Sequence, residues 1–357
     1  MFQELLKSAT ARPFNPFEAE LPERLAVLGT GLRGRRCRLR LESLGIAVPC
    51  FLDNNPARQG HEIDGLRVLS PARFSEESPG TPVIIASYAH LAIFPQLVSL
   101  GLTDVYRDEL TEAPPLSLLR RHAPELERVR DSLADRLSRE TFENLLRLRF
   151  YGTPMPALSP YPLYAHPKAL ARPGDVVIDG GAAKGDTAEL FLEQSGNKAI
   201  IHCFEPTPSV FGALAAHVSA AGLEGVQAVC AALWDSDGTT SFFESFGMPA
   251  GNRVGGEGGT EVDTLTLDNY VESRGLKRVD LIKLDVEGAE LAALRGAERT
   301  IRRFRPKLQI CLYHEWRDLW ELPLHVLELE PSYALHLGHH TGTHLDTVLY
   351  CAPPGRP

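Results

Sequence analysis

The chain has no long apolar run, and none of its 357 residues lies in a stretch of about 18 consecutive apolar residues. A helix that crosses a bilayer needs about 20 such residues, so the sequence predicts no membrane span. The N-terminal segment from Met1 to Glu20 also lacks the basic segment followed by an apolar segment that marks a secretory signal. We therefore expect a cytoplasmic protein.

Cysteine is scarce and scattered, with six residues and no Cys-x-x-Cys pair. Closely spaced pairs are typical of zinc sites and redox centres, and dense cysteine frameworks are typical of small secreted domains. Most of the six cysteines lie in apolar, strand-like segments. This placement favours buried reduced thiols over disulfides or a zinc site.

Positive charge is in the minority, with 37 Lys and Arg residues against 46 Asp and Glu residues and a net charge of −9. Proteins that bind nucleic acid usually carry a basic stripe or patch, so no nucleic-acid partner is predicted. Hydrophobic residues make up 43% of the chain. This ordinary globular composition, together with the length, allows two domains with their own cores.

Residues 1–112 are predicted to form a small Rossmann-like domain. Apolar runs at 25–28, 48–52, 83–86 and 104–106 indicate strands, and helix-length segments separate them, which predicts a doubly wound sheet. A G-x-G-x-x-G turn from Gly29 to Gly34 follows the first of these strands, and the second ends at Asp53. That combination is typical of a dinucleotide site.

The segment from Phe51 to Leu69 resembles the small Rossmann-like domain that precedes sugar N-acetyltransferase and sugar-modifying modules in polysaccharide pathways. The resemblance implies a nucleotide-sugar or a related ligand. NAD at the glycine turn and a docking module without a small ligand are the alternatives. Assembly into a homo-oligomer is a further expectation for the protein.

Residues 113–162 are predicted as a helical linker. Pro114-Pro115 interrupts the chain, and apolar residues then recur at roughly helical spacing as far as Leu146. A proline-rich loop at 153–162 leads into the second domain, which is predicted to span 163–357.

The stretch VVIDGGAAKGDTA at 176–188 is the most informative part of the chain. Its branched apolar residues indicate a buried parallel strand, which ends at Asp179 and Gly180. A tight turn through Gly181 and Gly185 then opens a helix. Glycine lets the backbone approach a ligand closely, and the free N–H groups of the helix start point into the same crevice.

A second strand at 200–204 ends at Glu205, whose carboxylate can accept hydrogen bonds from both hydroxyls of a ribose. The preceding turn has the form D-x-G-x-x-x-G, with one more residue between its glycines than a dinucleotide fingerprint. This longer turn suits S-adenosylmethionine, which has no pyrophosphate. The next predicted strand spans 225–233, and Ala231 and Ala232 near its end are expected to line the adenine pocket.

Carboxylates are concentrated after the predicted strand at 279–284, where Asp285 and Glu287 follow one another closely. Such a cluster at the edge of a sheet is costly unless it binds a ligand, a proton or a metal.

The glycine-rich segment at 250–261, which precedes this strand, is predicted to be a loop. A more specific hypothesis is that the loop forms a lid over the acceptor.

Five linked motifs resemble those of the FkbM family of S-adenosylmethionine-dependent O-methyltransferases. They are VVIDGGAAKGDTA at 176–188, CFEP at 203–206, VDTLTLDNYV at 262–271, DLIKLDVEGAELAALRGA at 280–297, and a C-terminal set from 312 to 353. The resemblance covers 163–357. It implies a class I methyltransferase fold with a seven-stranded sheet, whose last two strands form an antiparallel hairpin.

The whole chain is therefore predicted as an α/β protein with two doubly wound Rossmann-like domains joined by a helical linker. The predicted function is S-adenosylmethionine-dependent O-methylation of a hydroxyl on a small-molecule or glycan acceptor, which is a sugar, a glycan or a glycosylated metabolite. The alternatives are an NAD-dependent sugar oxidoreductase that uses Gly29 to Gly34 and a non-catalytic binding or scaffold protein.

Two residues are predicted to be catalytic. Asp285 is expected to face the donor and the acceptor, and His314 could act as a general base near neutral pH. A magnesium ion held by Asp285 with Glu287 or Asp235 is an alternative way to acidify the hydroxyl. The tract with His339, His340 and His344 is a weaker metal-binding pattern.

Overall fold

A computed structural model describes residues 12–14, 21–87, 90–108, 116–151, 155, 157–243, 253–254, 260–343 and 345–355. Within these ranges the chain forms 18 strands and 12 helices. It divides into two compact units, the first made of Met1–Ala123 with Glu143–Pro156 and the second of Pro124–Phe142 with Ala157–Pro357.

The first unit is built around a seven-stranded sheet. Its strands are β1 (Arg12–Pro13), β2 (Ala26–Leu28), β3 (Phe51–Leu52), β4 (Glu62–Ile63), β5 (Leu66–Leu69), β6 (Val83–Ile85) and β7 (Val105–Arg107). They lie in the order β1-β7-β6-β2-β3-β5-β4, and all neighbours are parallel except β4 and β5. The predicted doubly wound sheet is confirmed, and β1, β4 and β5 are additions to it.

Helices cover this sheet because successive residues of a strand point to opposite faces. Ala26 and Leu28 lie in one buried cluster, and Leu25 and Val27 lie in another. The helices of this part of the chain are α1 (Leu32–Ser43), α2 (Pro71–Glu77), α3 (His90–Ser99) and α4 (Leu116–Arg121). Two more, α5 (Ala123–Ser132) and α6 (Arg136–Tyr151), complete the stretch predicted as a linker, and the two units share its residues.

The second unit contains two sheets. Its strands are β8 (Val176–Gly180), β9 (Ile200–Phe204), β10 (Val226–Val229), β11 (Ala232–Leu233), β12 (Gly238–Phe243), β13 (Arg253–Val254), β14 (Thr260–Leu265), β15 (Leu281–Leu284), β16 (Lys307–Cys311), β17 (Ala334–His339) and β18 (Thr347–Ala352). Its helices from here on are α7 (Asp186–Gln194), α8 (Pro208–Ala220), α9 (Leu267–Ser273), α10 (Glu290–Arg295), α11 (Glu298–Phe304) and α12 (Asp318–Leu329).

The larger sheet has seven strands in the order β10-β9-β8-β15-β16-β18-β17. The first five are parallel, and β18 runs antiparallel to both of its neighbours. This is the arrangement implied by the resemblance to class I methyltransferases, and the predicted C-terminal hairpin is present. Every residue of β8, β15 and β16 is buried, as expected for parallel strands covered on both faces.

A four-stranded sheet in the order β11-β14-β12-β13 was not expected from the sequence. The segment predicted as one strand, 225–233, is interrupted after Val229, and Ala232 and Leu233 then pair with β14 rather than continuing β10. Most of the predicted glycine-rich loop at 250–261 lies outside the described residues.

No helix in the described ranges has both the length and the apolar character needed to cross a bilayer.

The close approach of β11 to α10 yields a test of packing. A Cβ added at the buried Gly296 would lie 1.9 Å from the carbonyl oxygen of Trp234, a backbone atom that cannot move aside cheaply. We expect Gly296→Ala to lower the free energy of unfolding by about 1–3 kcal/mol. Gly212 in α8 has open space around it, so Gly212→Ala should raise the stability by up to about 1 kcal/mol.

Urea denaturation of both variants and the wild type measures the two changes. A Gly296→Ala protein as stable as Gly212→Ala would contradict the close packing described.

Candidate active site

Three neighbouring strands of the large sheet end at the same edge. Glu205 follows β9, Gly181 follows β8 and Asp285 follows β15, with β8 in the middle. Because neighbouring strands lie about 4.8 Å apart, the backbone positions of Glu205 and Asp285 are about 10 Å from each other across this edge. Ligands of open α/β sheets bind in such crevices at the carboxyl ends of the strands.

A cavity of about 230 Å³ opens at this edge. Five of the residues predicted to bind the cofactor line it, namely Gly181, Glu205, Ala231, Ala232 and Asp285. The other three, Asp179, Gly180 and Gly185, are not among the lining residues. The cavity therefore spans the whole edge from the carboxylate after β9 to the carboxylates after β15.

The glycines of the turn after β8 serve the packing of the protein itself. Gly181 has a φ of 72°, and a Cβ there would lie 1.8 Å from the carbonyl oxygen of Asp285. Gly185 has a φ of 101° and precedes the first turn of α7. Both positions favour glycine because L side chains rarely adopt this left-handed conformation. The turn brings the backbone after β8 against the backbone after β15.

A buried ion pair lies directly beneath this turn. The Lys283 ammonium is 3.0 Å from Asp179 Oδ1, and at most 1% of either side chain is exposed. Lys283 also donates hydrogen bonds to the carbonyl oxygens of Gly180 and Gly181, at 3.2 and 2.8 Å. Thr187 donates to the other oxygen of Asp179 at 2.5 Å. Asp179 therefore supports the turn from below, and Lys283 is not among the site residues predicted from the sequence.

Glu205 lies at the far end of the cavity and is 7% exposed. Its Oε1 accepts a hydrogen bond from the backbone N–H of Thr207 at 2.9 Å. Burial raises the pKa of this carboxyl above its ordinary value, against hydrogen bonds from Thr207 and Ala183 and the charge of Lys283. A ligand that hydrogen-bonds to the ionised carboxylate would therefore be held in a largely water-free setting.

Asp285 is held from both sides by tyrosines. Tyr313 donates its hydroxyl to Oδ1 at 2.7 Å, and Tyr164 donates to Oδ2 at 2.8 Å. Burial works to raise the pKa of this carboxyl, but the charges of Lys283 and His314 and the two hydroxyls outweigh it and lower the pKa. Asp285 is therefore a fixed, ionised carboxylate and a weak base.

His314 is surrounded by carboxylates. Its Nδ1 bonds to Glu290 Oε1 at 2.9 Å, and its Nε2 lies 3.5 Å from Asp285 Oδ1 and 3.4 Å from Glu287 Oε2. Burial favours the neutral ring, but the hydrogen bond and charge of Glu290 and the other two carboxylates raise the pKa of His314 to about 9. The ring is protonated at neutral pH, so these contacts favour a positioning role over the predicted role as a base.

Glu287 is the third acidic residue of the cavity. Its side chain is 30% exposed, and its backbone has a left-handed φ of 54°. Burial raises its pKa, the charge of His314 opposes this, and the charges of Asp285, Glu290 and Glu205 add to it. The result is a carboxyl with a pKa of about 7.

The residues present do not fit the predicted magnesium ion. Asp235 is exposed, accepts a hydrogen bond from the Ser236 hydroxyl at 3.0 Å and does not line the cavity. In the described part of the chain, Asp285, Glu290 and His314 do lie close enough to share a cation. Magnesium favours oxygen ligands over an imidazole, however, and both oxygens of Asp285 already accept tyrosine hydroxyls.

The histidines of the C-terminal hairpin have protein partners. His339 Nδ1 lies 2.9 Å from the Thr347 hydroxyl, and His340 Nε2 lies 3.1 Å from the Tyr350 hydroxyl. His344 is outside the described residues. These contacts explain the two described rings without a metal.

The glycine turn of the first unit also has its acidic residue engaged. The Thr30 hydroxyl donates to Asp53, and Arg58 lies 3.3 Å from the same carboxylate and donates to Thr30 at 2.8 Å. A Cβ at Gly34 would lie 1.8 Å from the carbonyl oxygen of Gly29, so this glycine allows α1 to pack closely. A nucleotide-sugar, NAD or no small ligand at this turn all stay predictions.

Comparison with known proteins identifies the family of the second unit. Residues 179–336 match the family described as the methyltransferase FkbM domain. The 2-O-methyltransferase NoeI of Sinorhizobium fredii is 30% identical over 204 residues, which are 50% of this chain and 81% of the relative. The chain belongs to the FkbM methyltransferase family. The predicted resemblance of the second domain to this family is thereby confirmed.

Two further comparisons with this FkbM methyltransferase show lower sequence identity. Methyltransferase 1 of Beauveria bassiana is 27% identical over 145 residues, which cover 34% of this chain and 58% of the relative. The crystal structure of methyltransferase FkbM from Methylobacillus flagellatus covers 98% of this chain and 96% of its own, with a TM-score of 0.63 and 20% identity. The two proteins share a fold.

The raised pKa of His314 predicts a pH dependence of stability. A histidine with a pKa of about 9 in the folded protein and about 6.5 in the unfolded chain stabilises the fold fully below pH 6.5. This contribution, about 3 kcal/mol at its full extent, is lost as the pH rises through 9. We expect the stability difference between wild type and His314→Gln to shrink over this range.

Urea denaturation at several pH values from 6.5 to 8.5 measures this difference. A difference that stays constant, or grows with pH, would contradict an imidazolium held between carboxylates.

Proposed function

We propose that this FkbM methyltransferase uses S-adenosylmethionine as its methyl donor and methylates a hydroxyl oxygen of a sugar, a glycan or a glycosylated metabolite. The observation that carries the choice of donor is the charge of the cavity. Three acidic side chains, Glu205, Asp285 and Glu287, line it, and no Lys or Arg is among the lining residues that the structure describes.

An acidic cavity favours a cationic ligand and disfavours a phosphorylated one. S-adenosylmethionine carries a positive sulfonium and an ammonium against one carboxylate, whereas NAD carries a negatively charged pyrophosphate. The charge of the lining therefore supports the sulfonium donor. It gives no support to a dinucleotide in this cavity.

Different lining residues along the sheet edge match different parts of this donor, namely its ribose, its adenine and its charged end. Glu205 can accept hydrogen bonds from the ribose hydroxyls, as acidic residues after the second strand of such sheets do. Ala231, Ala232 and Leu233 offer an apolar wall for the adenine. At the other end, the ionised Asp285 faces the region where the donor's positive charges would lie.

When bound, the donor supplies an electrophilic methyl group. The protein must bring the acceptor oxygen into line with it and exclude competing water. Tyr164 and Tyr313 hold Asp285 in one orientation, and Lys283 fixes the turn that carries Gly181. These side chains can thus prearrange the site before either substrate enters.

The choice of an oxygen acceptor is supported by one relative, NoeI, whose name describes a 2-O-methyltransferase. The choice of a carbohydrate is supported by the sugar-pathway resemblance of the segment from Phe51 to Leu69. Both are proposals for this chain.

The donor proposal predicts the effect of Glu205→Ala. Losing the carboxylate removes charge-assisted hydrogen bonds to the ribose, each with a contribution of about 1.5 kcal/mol, so binding should weaken by about 2–3 kcal/mol. Glu224→Ala removes an exposed acidic residue away from the cavity and should leave binding unchanged. Calorimetric titration with S-adenosylmethionine measures both. Tight NAD binding together with no binding of S-adenosylmethionine would overturn the donor assignment.

The acceptor proposal is tested by incubating the protein and S-adenosylmethionine with a panel of free sugars, nucleotide-sugars and glycosides. Mass spectrometry should show a product heavier by one methylene, with the new methyl group on oxygen. Methylation confined to nitrogen or carbon acceptors in a parallel panel would contradict the proposal.

A further inference from the structure

We propose that Glu287 is the catalytic base of this methyl transfer and that its carboxylate faces the position of the transferred methyl group. The inference rests on the proposed function and adds to it the group that takes the proton of the acceptor hydroxyl. It rests on a difference between the three acidic side chains of the cavity, namely in the hydrogen bonds that each carboxylate accepts.

Two of the three carboxylates accept hydrogen bonds from other residues of the protein. Glu205 accepts the backbone N–H of Thr207, and it lies at the opposite end of the sheet edge from β15. Asp285 accepts a tyrosine hydroxyl on each oxygen. Glu205 is therefore too far from the β15 end, and both oxygens of Asp285 are already occupied by hydroxyl donors.

Glu287 differs from both. Within the described residues, no hydroxyl and no backbone N–H donates to its carboxylate, and its nearest charged partner is His314 Nε2, 3.4 Å from Oε2. Its side chain lines the cavity and remains 30% exposed, so an accepted proton has a route to solvent. Among the described residues, it is the carboxylate at the β15 end of the cavity that accepts no hydrogen bond.

The backbone at Glu287 is held in an unusual conformation. A left-handed φ of 54° is uncommon for a residue with a side chain and is a strained conformation. The turn is closed on both sides, because Val286 N–H donates to Glu290 at 2.9 Å and Ala289 N–H donates to the Val286 carbonyl at 3.2 Å. Such local strain persists where the surroundings enforce it, and it is concentrated at functional sites.

The charge states of the neighbours agree with this assignment. His314 already carries its proton, and the pKa of Asp285 is lowered, so neither is a good proton acceptor at neutral pH. Burial and the charges of Asp285, Glu290 and Glu205, opposed by His314, bring the pKa of Glu287 to about 7. A general base works best when its pKa lies near the operating pH.

A lone pair of the acceptor oxygen forms the new O–C bond while the S–C bond breaks, and the bonding pair goes to sulfur. The hydroxyl proton passes to a carboxylate oxygen of Glu287 and leaves to solvent before the next turnover.

The test uses two ligands that differ at the position of the transferred methyl group. Sinefungin carries an amine-bearing carbon in place of the methylated sulfur, and S-adenosylhomocysteine carries a neutral sulfur there. A carboxylate that faces this position binds the sinefungin ammonium. We expect Glu287→Gln to weaken the binding of sinefungin by about 10- to 100-fold and to leave the binding of S-adenosylhomocysteine within about twofold of the wild type, because only sinefungin loses a charge-assisted hydrogen bond to the carboxylate.

The preference of the wild type for sinefungin over S-adenosylhomocysteine should also rise between pH 6 and 8, as Glu287 ionises, and this rise should disappear in Glu287→Gln. Asp235→Asn is the control, since it removes one exposed acidic residue outside the cavity and should match the wild type.

Equal losses for both ligands in Glu287→Gln, or an unchanged preference for sinefungin, would overturn the assignment of Glu287. A wild-type protein that binds neither ligand would instead overturn the proposed donor, so the two failures are distinguishable by calorimetry.

Discussion

The ion pair between Lys283 and Asp179 is the interaction on which the site depends. Two opposite charges in a buried sheet are costly unless they pair and their remaining hydrogen-bonding groups are satisfied. Here the ammonium satisfies two carbonyl oxygens of the turn after β8, and Thr187 satisfies the second oxygen of the carboxylate. The requirement to satisfy this buried charge therefore fixes the loop that lines the cavity.

The same lysine influences the chemistry above it. Its positive charge helps to keep Asp285 ionised, and Asp285 in turn is among the charges that keep His314 protonated. Two carboxyls only two residues apart, Asp285 and Glu287, thus acquire opposite shifts in pKa. Environments that separate the pKa values of neighbouring acids are a recurring way to give them different roles.

The sequence predicted much of the fold because its strands are strongly patterned. Buried parallel strands such as β8 and β15 appear as short apolar runs, and both were placed to within two residues. The hairpin of β4 and β5 was missed although Asp64-Gly65, both with positive φ, is a typical hairpin turn. The break after Val229 depends on pairing between Ala232 and Thr264, which local sequence does not reveal.

The site was predictable in part, for a related reason. Glu205 and Asp285 could be placed because strand ends of a parallel sheet meet at one edge. The hydrogen-bond partners of each carboxylate could not be predicted, because they come from parts of the chain that are distant in sequence. Tyr164, which donates to Asp285, is an example. Lys283 carried a usable signal, because a lysine in an otherwise apolar buried strand requires a buried partner.

The acid lining of the cavity has a consequence for the reaction cycle. With the proposed donor, transfer of the methyl group would convert a cationic sulfonium into a neutral thioether, so the product would lose the charge that the carboxylates attract. On this proposal, the three acidic side chains that attract the donor would hold the demethylated cofactor less tightly. The acidic lining would then favour exchange of product for fresh donor over accumulation of the product-bound form.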